Sequence, residues 1–218
     1  DHHVSENKLP EVFGIVNPNR YDEINEINHL ASVGITFLFC IALRRKLREN
    51  NYYKIYSYKE HNLTYFLDLV ALGTVCDVVV LKDLNRAFVK KGLEIIHKRT
   101  NKGISSLIDT SNIKHKANTY DLSYVIGPKL NAASRIGNSQ ISSKILFSDN
   151  LLEIESITNK LILLNEKRRL IEDKITKDAR EQALKKLNNK VLIIDDFNWH
   201  PGVIGIVASR LVEEFSKP

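Results

Sequence analysis

Methionine is absent from this 218-residue chain, tryptophan occurs once and cysteine twice. A chain that begins Asp1-His2-His3 without methionine reads as a processed product or as part of something longer. Two cysteines, Cys40 and Cys76, cannot build a disulfide framework. Each lies in an apolar run, which predicts buried free thiols in a reducing compartment. Nine glycines and five prolines exclude collagen-like and low-complexity classes. No basic-then-apolar leader is visible. The longest apolar run, Leu30 to Leu43, is interrupted by Ser32, Gly34 and Thr36, and falls short of the ~18–20 residues of a membrane span. These absences predict a soluble cytoplasmic protein with no membrane partner.

Hydrophobic residues make up 43% and charged residues 27%, an ordinary globular balance. At roughly 150 residues per domain, one or two domains are expected. The net charge of +6 is read two ways: a polyanionic partner, or a Lys-rich surface without specific meaning.

Along the chain, Val12 to Val16 reads as a buried strand ending in the turn Asn17-Pro18-Asn19. Asn28 to Arg48 reads as a buried helix with a cationic end. Asn50 to Glu60 is a polar, Tyr-rich connection with room for an edge strand. Leu63 to Leu72 predicts a helix stopped by Gly73, and Val75 to Leu81 a strand or buried turn. Helices are expected at Asn85 to Lys98, Ile104 to Asp109, Tyr120 to Ile126 and around Asn131 to Arg135, with Gly127-Pro128 as a break. From Leu151 to Leu187, apolar residues recur at three- and four-residue steps with no Gly or Pro. Such a helix spans ~50 Å and suits a connection between two lobes. Lys190 to Asp195 then reads as a strand and Val203 to Phe215 as a helix. The expected fold is therefore α/β, with a second α/β domain opening near the C-terminal end.

Four segments carry chemistry. Asp1-His2-His3 offers a carboxylate and two imidazoles from one turn, as metal ligands or as a phosphate donor; a trimmed tag or frayed terminus is the bland alternative. Asp77 lies among Val75, Cys76 and Val78 to Val80, where a buried carboxylate needs a partner or a metal, unless it caps an element. Asp68 is read as structural. Gly127 to Ile136 sets Lys129, Asn131, Ser134 and Arg135 among small residues, a phosphate-compatible set or ordinary surface cations. Trp199 to Arg210 has the strand–Gly–helix form that turns backbone N–H groups toward an anion.

In order and wording these segments resemble the RecJ single-strand-specific exonucleases of the DHH phosphoesterase superfamily. The resemblance rests on Asp-His-His at 1–3, on Leu-Asp-Leu-Val-Ala-Leu-Gly-Thr-Val-Cys-Asp-Val-Val at 67–79, and on Gly-Pro-Lys-Leu-Asn-Ala-Ala-Ser-Arg-Ile at 127–136. It rests further on Leu164 to Arg169 and on His-Pro-Gly-Val-Ile-Gly-Ile-Val-Ala-Ser-Arg at 200–210. Val80 stands where the family often has Pro, and Ser134 where Gly is usual. The resemblance implies the latter part of a DHH domain over 1–150, a long connecting helix over 151–189 and the start of a DHHA1 domain over 190–218. The family's upstream aspartate motifs are expected ahead of Asp1, and the rest of DHHA1 and an OB-fold after Pro218.

The implied activity is 5′-to-3′ degradation of single-stranded DNA with a two-metal Mn²⁺ or Mg²⁺ site. His2 and Asp77 would ligate a metal. His3 would complete the shell or contact the scissile phosphate, and Asp1 would orient a histidine. Arg135 would contact substrate phosphate beside Asn131, with His200 and Gly202 facing DNA. Expected partners are single-stranded DNA and, for the parent enzyme, a helicase or a single-strand-binding protein. The alternatives are a DHH phosphodiesterase acting on short oligonucleotides or cyclic dinucleotides, or a catalytically silent piece. The chain by itself is expected to be inactive.

Overall fold

The computed structural model describes residues 1–23 and 25–218. Its chain divides into two compact units, Asp1–Gly127 and Pro128–Pro218.

In the first unit, turns and bends lead to Leu30 and Ala31, both shielded from solvent, and into α1 (Ser32–Glu49). Lys46 and Arg48 in its last turn complement the negative end of the helix dipole. A one-turn helix, α2 (Tyr52–Ile55), and a 3₁₀ turn (Leu63–Phe66) precede α3 (Leu67–Cys76). Seven of the ten α3 residues are buried, so this helix is apolar around most of its circumference and forms the centre of the unit. Phe37, Leu67, Val70 and Ile95 join α1, α3 and α4 (Asp83–His97) in one core. Phe37 and Phe88 meet edge to face there, 5.5 Å apart. Gly92 lets α4 lie against α3: a Cβ at that position would stand 2.1 Å from the Leu67 carbonyl oxygen. α5 (Lys102–Thr110) is capped by Asn101, whose Oδ1 accepts from Ile104 N at 3.0 Å. A π-helical stretch follows at Asp121–Ile126.

The second unit takes in most of α6 (Gly127–Ile136), with α7 (Gln140–Phe147), α8 (Leu151–Leu184) and α9 (Pro201–Phe215). Asn150 Oδ1 accepts from Leu152 N and Glu153 N and fixes where α8 begins. Ile175 and Ala179 of α8 pack on Val203, Val207 and Leu211 of α9.

All regular elements among the described residues are helical, so the α/β expectation is corrected at three places. A strand needs a ladder partner for its backbone groups. Val12 to Val16 finds none: Val12, Phe13 and Val16 are exposed. Over Lys190 to Asp195 side chains take the carbonyls instead: Lys186 Nζ donates to Ile193 O and Gln182 Nε2 to Asp195 O. Val75 and Cys76 belong to α3, and the chain beyond them turns at Val78, whose φ is +57°. No edge strand lies within Asn50 to Glu60, which holds α2. Gly73 does not stop a helix. Gly127-Pro128 starts one rather than breaking it, because a proline in the first turn gives up an N–H with no intrahelical acceptor. The uninterrupted 34-residue α8 belongs to the second unit, and the division of the chain falls at Gly127, ahead of residue 150. Cys40 and Cys76 are free but half-buried rather than buried.

Candidate functional site

In the first unit Asp1, His2, His3 and Asp77 come together. His2 Nδ1 lies 2.7 Å from Ser32 Oγ, at the first residue of α1. That contact aims Nε2 at Asp77, whose Oδ2 is 3.1 Å away. Asp77 is the residue at which α3 ends. His3 Nδ1 lies 2.7 Å from Asp1 Oδ1, and the same oxygen accepts from His2 N at 2.7 Å. One donor atom from each of Asp1, His2 and His3 falls within 4.8 Å of the others. The His2 ring is largely covered, whereas His3 and Asp1 face solvent.

The turn Asn17-Pro18-Asn19 holds the backbone of this cluster. Asn17 Nδ2 donates to His3 O at 2.9 Å, and Asn19 Nδ2 to His2 O at 2.7 Å. Asn85, fully buried, donates through Nδ2 to Val80 O and to His29 O, and so pins the segment just beyond Asp77. Sequence reasoning saw the Asn turn only as punctuation and Ser32 only as an interruption of an apolar run. The available signal was two amide side chains in one turn, which commonly bond nearby backbone.

Of the two acids, the one expected among apolar neighbours is the exposed one, and the one read as structural is buried. Asp77 is exposed, because the helix ends at Cys76 and the chain turns outward. Asp68 is 3% exposed. Burial pushes the Asp68 carboxyl above its ordinary range, opposed by the Leu69 N–H that donates to it at 2.7 Å. The Cys76 thiol is pushed up to about 11 by burial and by the neighbouring Asp77 charge.

The donor set fits a divalent cation. Two donors at right angles, each ~2.1 Å from an octahedral ion, stand about 3 Å apart, as His2 Nε2 and Asp77 Oδ2 do.

In the second unit Arg135 Nη1 donates to Gly202 O at 3.1 Å, so the end of α6 meets the start of α9. A Cβ on Gly202 would stand 2.1 Å from the Arg135 carbonyl oxygen, a contact only glycine permits. His200 caps α9: its Nδ1 accepts from Gly202 N at 3.1 Å. Asn131 and Arg135 are exposed. Sequence reasoning singled out Lys129 and the segments carrying Arg168, Arg169 and Arg210, and missed Glu172, which gathers two of these cations. Buried Glu172 takes Arg168 through one carboxylate oxygen and Arg210 through the other. Burial and Arg169 hold the Lys129 ammonium below its ordinary range. Burial also lowers Arg168, opposed by Glu172 and reinforced by the charges of Arg169, Arg135 and Arg210. Glu172, with Asp173 4.0 Å from Arg210, sits among a larger number of cations, which leaves a local positive field suited to phosphate.

Comparison with known proteins defines the class first. No family model matches the chain. Over its whole length it is 35% identical to the single-stranded-DNA-specific exonucleases RecJ of Salmonella typhimurium and Escherichia coli. It is 31% identical to that of Thermus thermophilus. A crystal structure of exonuclease RecJ bound to manganese superposes on the entire chain with a TM-score of 0.82 at 28% identity, the chain covering 52% of it. The Thermus thermophilus RecJ structure in complex with Mn²⁺ matches 71% of the chain at 33% identity and a TM-score of 0.65, with 23% of that structure covered. The chain is thus similar over its whole length to single-stranded-DNA-specific exonucleases. More particularly, it is similar to RecJ proteins along its entire length, and it spans 39% of the length of the Salmonella and Escherichia proteins. No helix among the described residues is long and apolar enough to cross a membrane.

Proposed function

We propose that this chain carries part of the catalytic centre, and part of the strand-binding surface, of a RecJ-like exonuclease that hydrolyses single-stranded DNA from its 5′ end. The observation that carries this reading is His2, fixed by Ser32 at Nδ1 and presenting Nε2 to Asp77 Oδ2 at 3.1 Å, with His3 and Asp1 alongside. His2 and Asp77 are the metal ligands in this reading. His3 is a further ligand or a contact to the scissile phosphate, and Asp1 sets the orientation of the His3 ring. When bound, Mn²⁺ or Mg²⁺ in a two-ion site supplies an activated water and stabilises charge on the phosphodiester. For His2 to offer a lone pair at Nε2, its Nδ1 must carry the proton and donate it to Ser32 Oγ.

Arg135 binds a backbone phosphate through the N–H groups that Gly202 O leaves available, and the cations around Glu172 strengthen its field. Asn131 shapes that surface, and His200 and Gly202 present the start of α9 to the strand. Residues 1–150 belong to a DHH domain, 151–189 to a connecting helix and 190–218 to the opening of DHHA1. The protein acts in the cytoplasm on strands made available by a helicase or held by a single-strand-binding protein.

The experiment is degradation of 5′-phosphorylated single-stranded DNA by the native protein with Mn²⁺, with duplex DNA, dinucleotides and a chelator as separate arms. Chelator-sensitive digestion of long single strands is expected. Preferential turnover of dinucleotides, or digestion indifferent to chelator, would overturn the reading.

A further inference from the structure

The short helix α2 and the turn after it hold four tyrosines, Tyr52, Tyr53, Tyr56 and Tyr58. Tyr53 meets Tyr52 edge-on at 6.3 Å, and the other three gather with their faces less steeply inclined. Tyr52 and Tyr56 lie 4.6 Å apart between centroids. Tyr58 lies 6.0 Å from Tyr52 and 6.4 Å from Tyr56, inclined by only 18° and 26°. Residues Asn51 and Ser57, on either side of α2, have φ values of +53°, so the backbone folds back and brings Tyr58 over the helix.

This cluster does not serve a core. α2 has no buried residue, Ile55 beside the rings is 66% exposed, and Tyr56 and Tyr58 remain 59% and 62% exposed. Tyr52 is 37% exposed, and rings that touch one another while two of them turn most of their surface to water are placed to stack on something else.

The surroundings select the ligand by charge. Residues 44–60 carry six cations (Arg44, Arg45, Lys46, Arg48, Lys54 and Lys59) against two carboxylates, Glu49 and Glu60. Each carboxylate is shared by two cations: Glu60 by Arg44 and Arg48, Glu49 by Arg45 and Lys46. Lys54 and Lys59, on either side of Tyr56 and Tyr58 in sequence, are exposed and have no ion-pair partner among the described residues. Flat faces with unneutralised cations match a polyanion with accessible π-faces. Single-stranded nucleic acid is that polymer, since a duplex keeps its bases stacked within itself.

We propose that Tyr52, Tyr56 and Tyr58, with Lys54 and Lys59, form a stacking platform for single-stranded DNA, separate from the His2–Asp77 cluster. The choice of DNA as the strand rests on the exonuclease reading; the platform itself rests on the rings and charges. α1 connects the two places. Ser32, its first residue, contacts His2, and Glu49, its last, precedes the platform by three residues. Eighteen helical residues span ~27 Å. That corresponds to about eight nucleotides at a stacked rise of 3.4 Å. The platform would hold a strand about that far from the cleavage point.

The test is fluorescence anisotropy with a labelled oligothymidylate of about 16 residues. Chelator is present throughout, so binding is read without cleavage, and its outcome is independent of the nuclease assay above. Replacing the three tyrosines together by alanine is expected to weaken binding at least about fivefold, the low end for one base–aromatic stack. Replacement by phenylalanine, which keeps the faces, should restore it. Unmodified protein should bind an abasic strand of equal length at least about fivefold more weakly than it binds thymidylate, a comparison that needs no variant to fold. Lys54→Gln with Lys59→Gln should flatten the salt dependence by about 1.4 in log–log slope, at ~0.7 per phosphate contact. Equal affinity of the alanine variant and the unmodified protein would overturn the proposal. So would equal affinity for abasic and normal strands, or ring-dependent binding to phosphatidylserine vesicles without strand binding.

Discussion

His2 in the first unit is held side chain to side chain, between Ser32 at one ring nitrogen and Asp77 at the other, on a backbone cradled by Asn17 and Asn19. Arg135 in the second unit is held by a backbone group: its Nη1 donates to Gly202 O, where α6 and α9 approach so closely that only glycine fits at 202. The first arrangement fixes the direction of a lone pair and tolerates little change in donor chemistry. The second fixes the position of a charge and tolerates little change in volume. Substitutions should therefore separate them: the first site should lose function with its fold intact, and the second should lose stability and function together.

The largest expected effect is at Asp77. On the proposed reading, Asp77→Ala in a full-length enzyme carrying this chain should lower Mn²⁺-dependent nuclease activity about a thousandfold or more, since several kcal/mol of charge stabilisation disappear at ~1.36 kcal/mol per decade of rate. The melting curve should barely move, because Asp77 is exposed and its contact with His2 is at the surface. Activity within tenfold of normal would remove Asp77 from the ligand set. Ser32→Ala comes next. Loss of a residue that orients a ligand typically costs about 10–100-fold in metal affinity. Titration with Mn²⁺ should show that weakening, and Ser32→Thr should restore part of it. A purely helix-starting role for Ser32 would leave Mn²⁺ affinity unchanged.

Gly202→Ala probes the other half of the comparison against Gly205→Ala on the same helix. A Cβ at 202 would strike the Arg135 carbonyl at 2.1 Å, whereas at 205 nothing lies within 4 Å. Overpacking should cost about 1–3 kcal/mol at 202. At 205 the helix should gain roughly 0.5–1 kcal/mol. Thermal melting of both variants reads the contrast, and equal behaviour would mean that the α6–α9 approach does not constrain residue 202.

Helices were legible where periodicity extended over many residues. α8 announced itself through apolar steps without Gly or Pro, and α1 through its apolar face and cationic end. The expected strands failed because β-branched runs report hydrophobicity and not the presence of a ladder partner. Val12 to Val16 and Lys190 to Asp195 have the composition of strands, and among the described residues they meet only single backbone contacts, Asp1 N to Val16 O and Leu192 N to Pro218 O, and no ladder. Asp1, His2, His3 and Asp77 stood out by residue type, and the fold gathers them. Ser32, Asn17 and Asn19 did not, because a side chain that positions another acts through a contact distant in sequence. The contrast between Asp68 and Asp77 has the same origin: local composition places both in apolar surroundings, and only the point where α3 ends decides which one faces water.

That contrast gives the smallest and most diagnostic prediction, within the first unit itself. Asp77 has a partner in His2 and an exposed carboxylate; Asp68, nine residues earlier, is buried and met by backbone donors, Leu69 N at 2.7 Å and its own N–H. Burial raises the Asp68 carboxyl, so the folded chain binds that proton more tightly than the unfolded chain does. Wherever the folded state holds more protons, stability falls as pH rises. The burial penalty is therefore absent below the unfolded value. It grows as pH rises toward the elevated folded value, and it is fully present above it. Asp68→Asn removes the charge while its side-chain oxygen can still accept from Leu69 N. The new amide donors offset part of the gain, because burying them without partners is unfavourable. The sign with pH is free of that offset, since the amide does not titrate. The melting temperature of Asp68→Asn minus that of the unmodified chain should be larger at pH 7.5 than at pH 4, with every other titrating group common to both proteins. A difference that is constant with pH, or that shrinks toward neutrality, would mean that Asp68 has water or a partner the carboxylate prefers, and that burial does not dominate its titration.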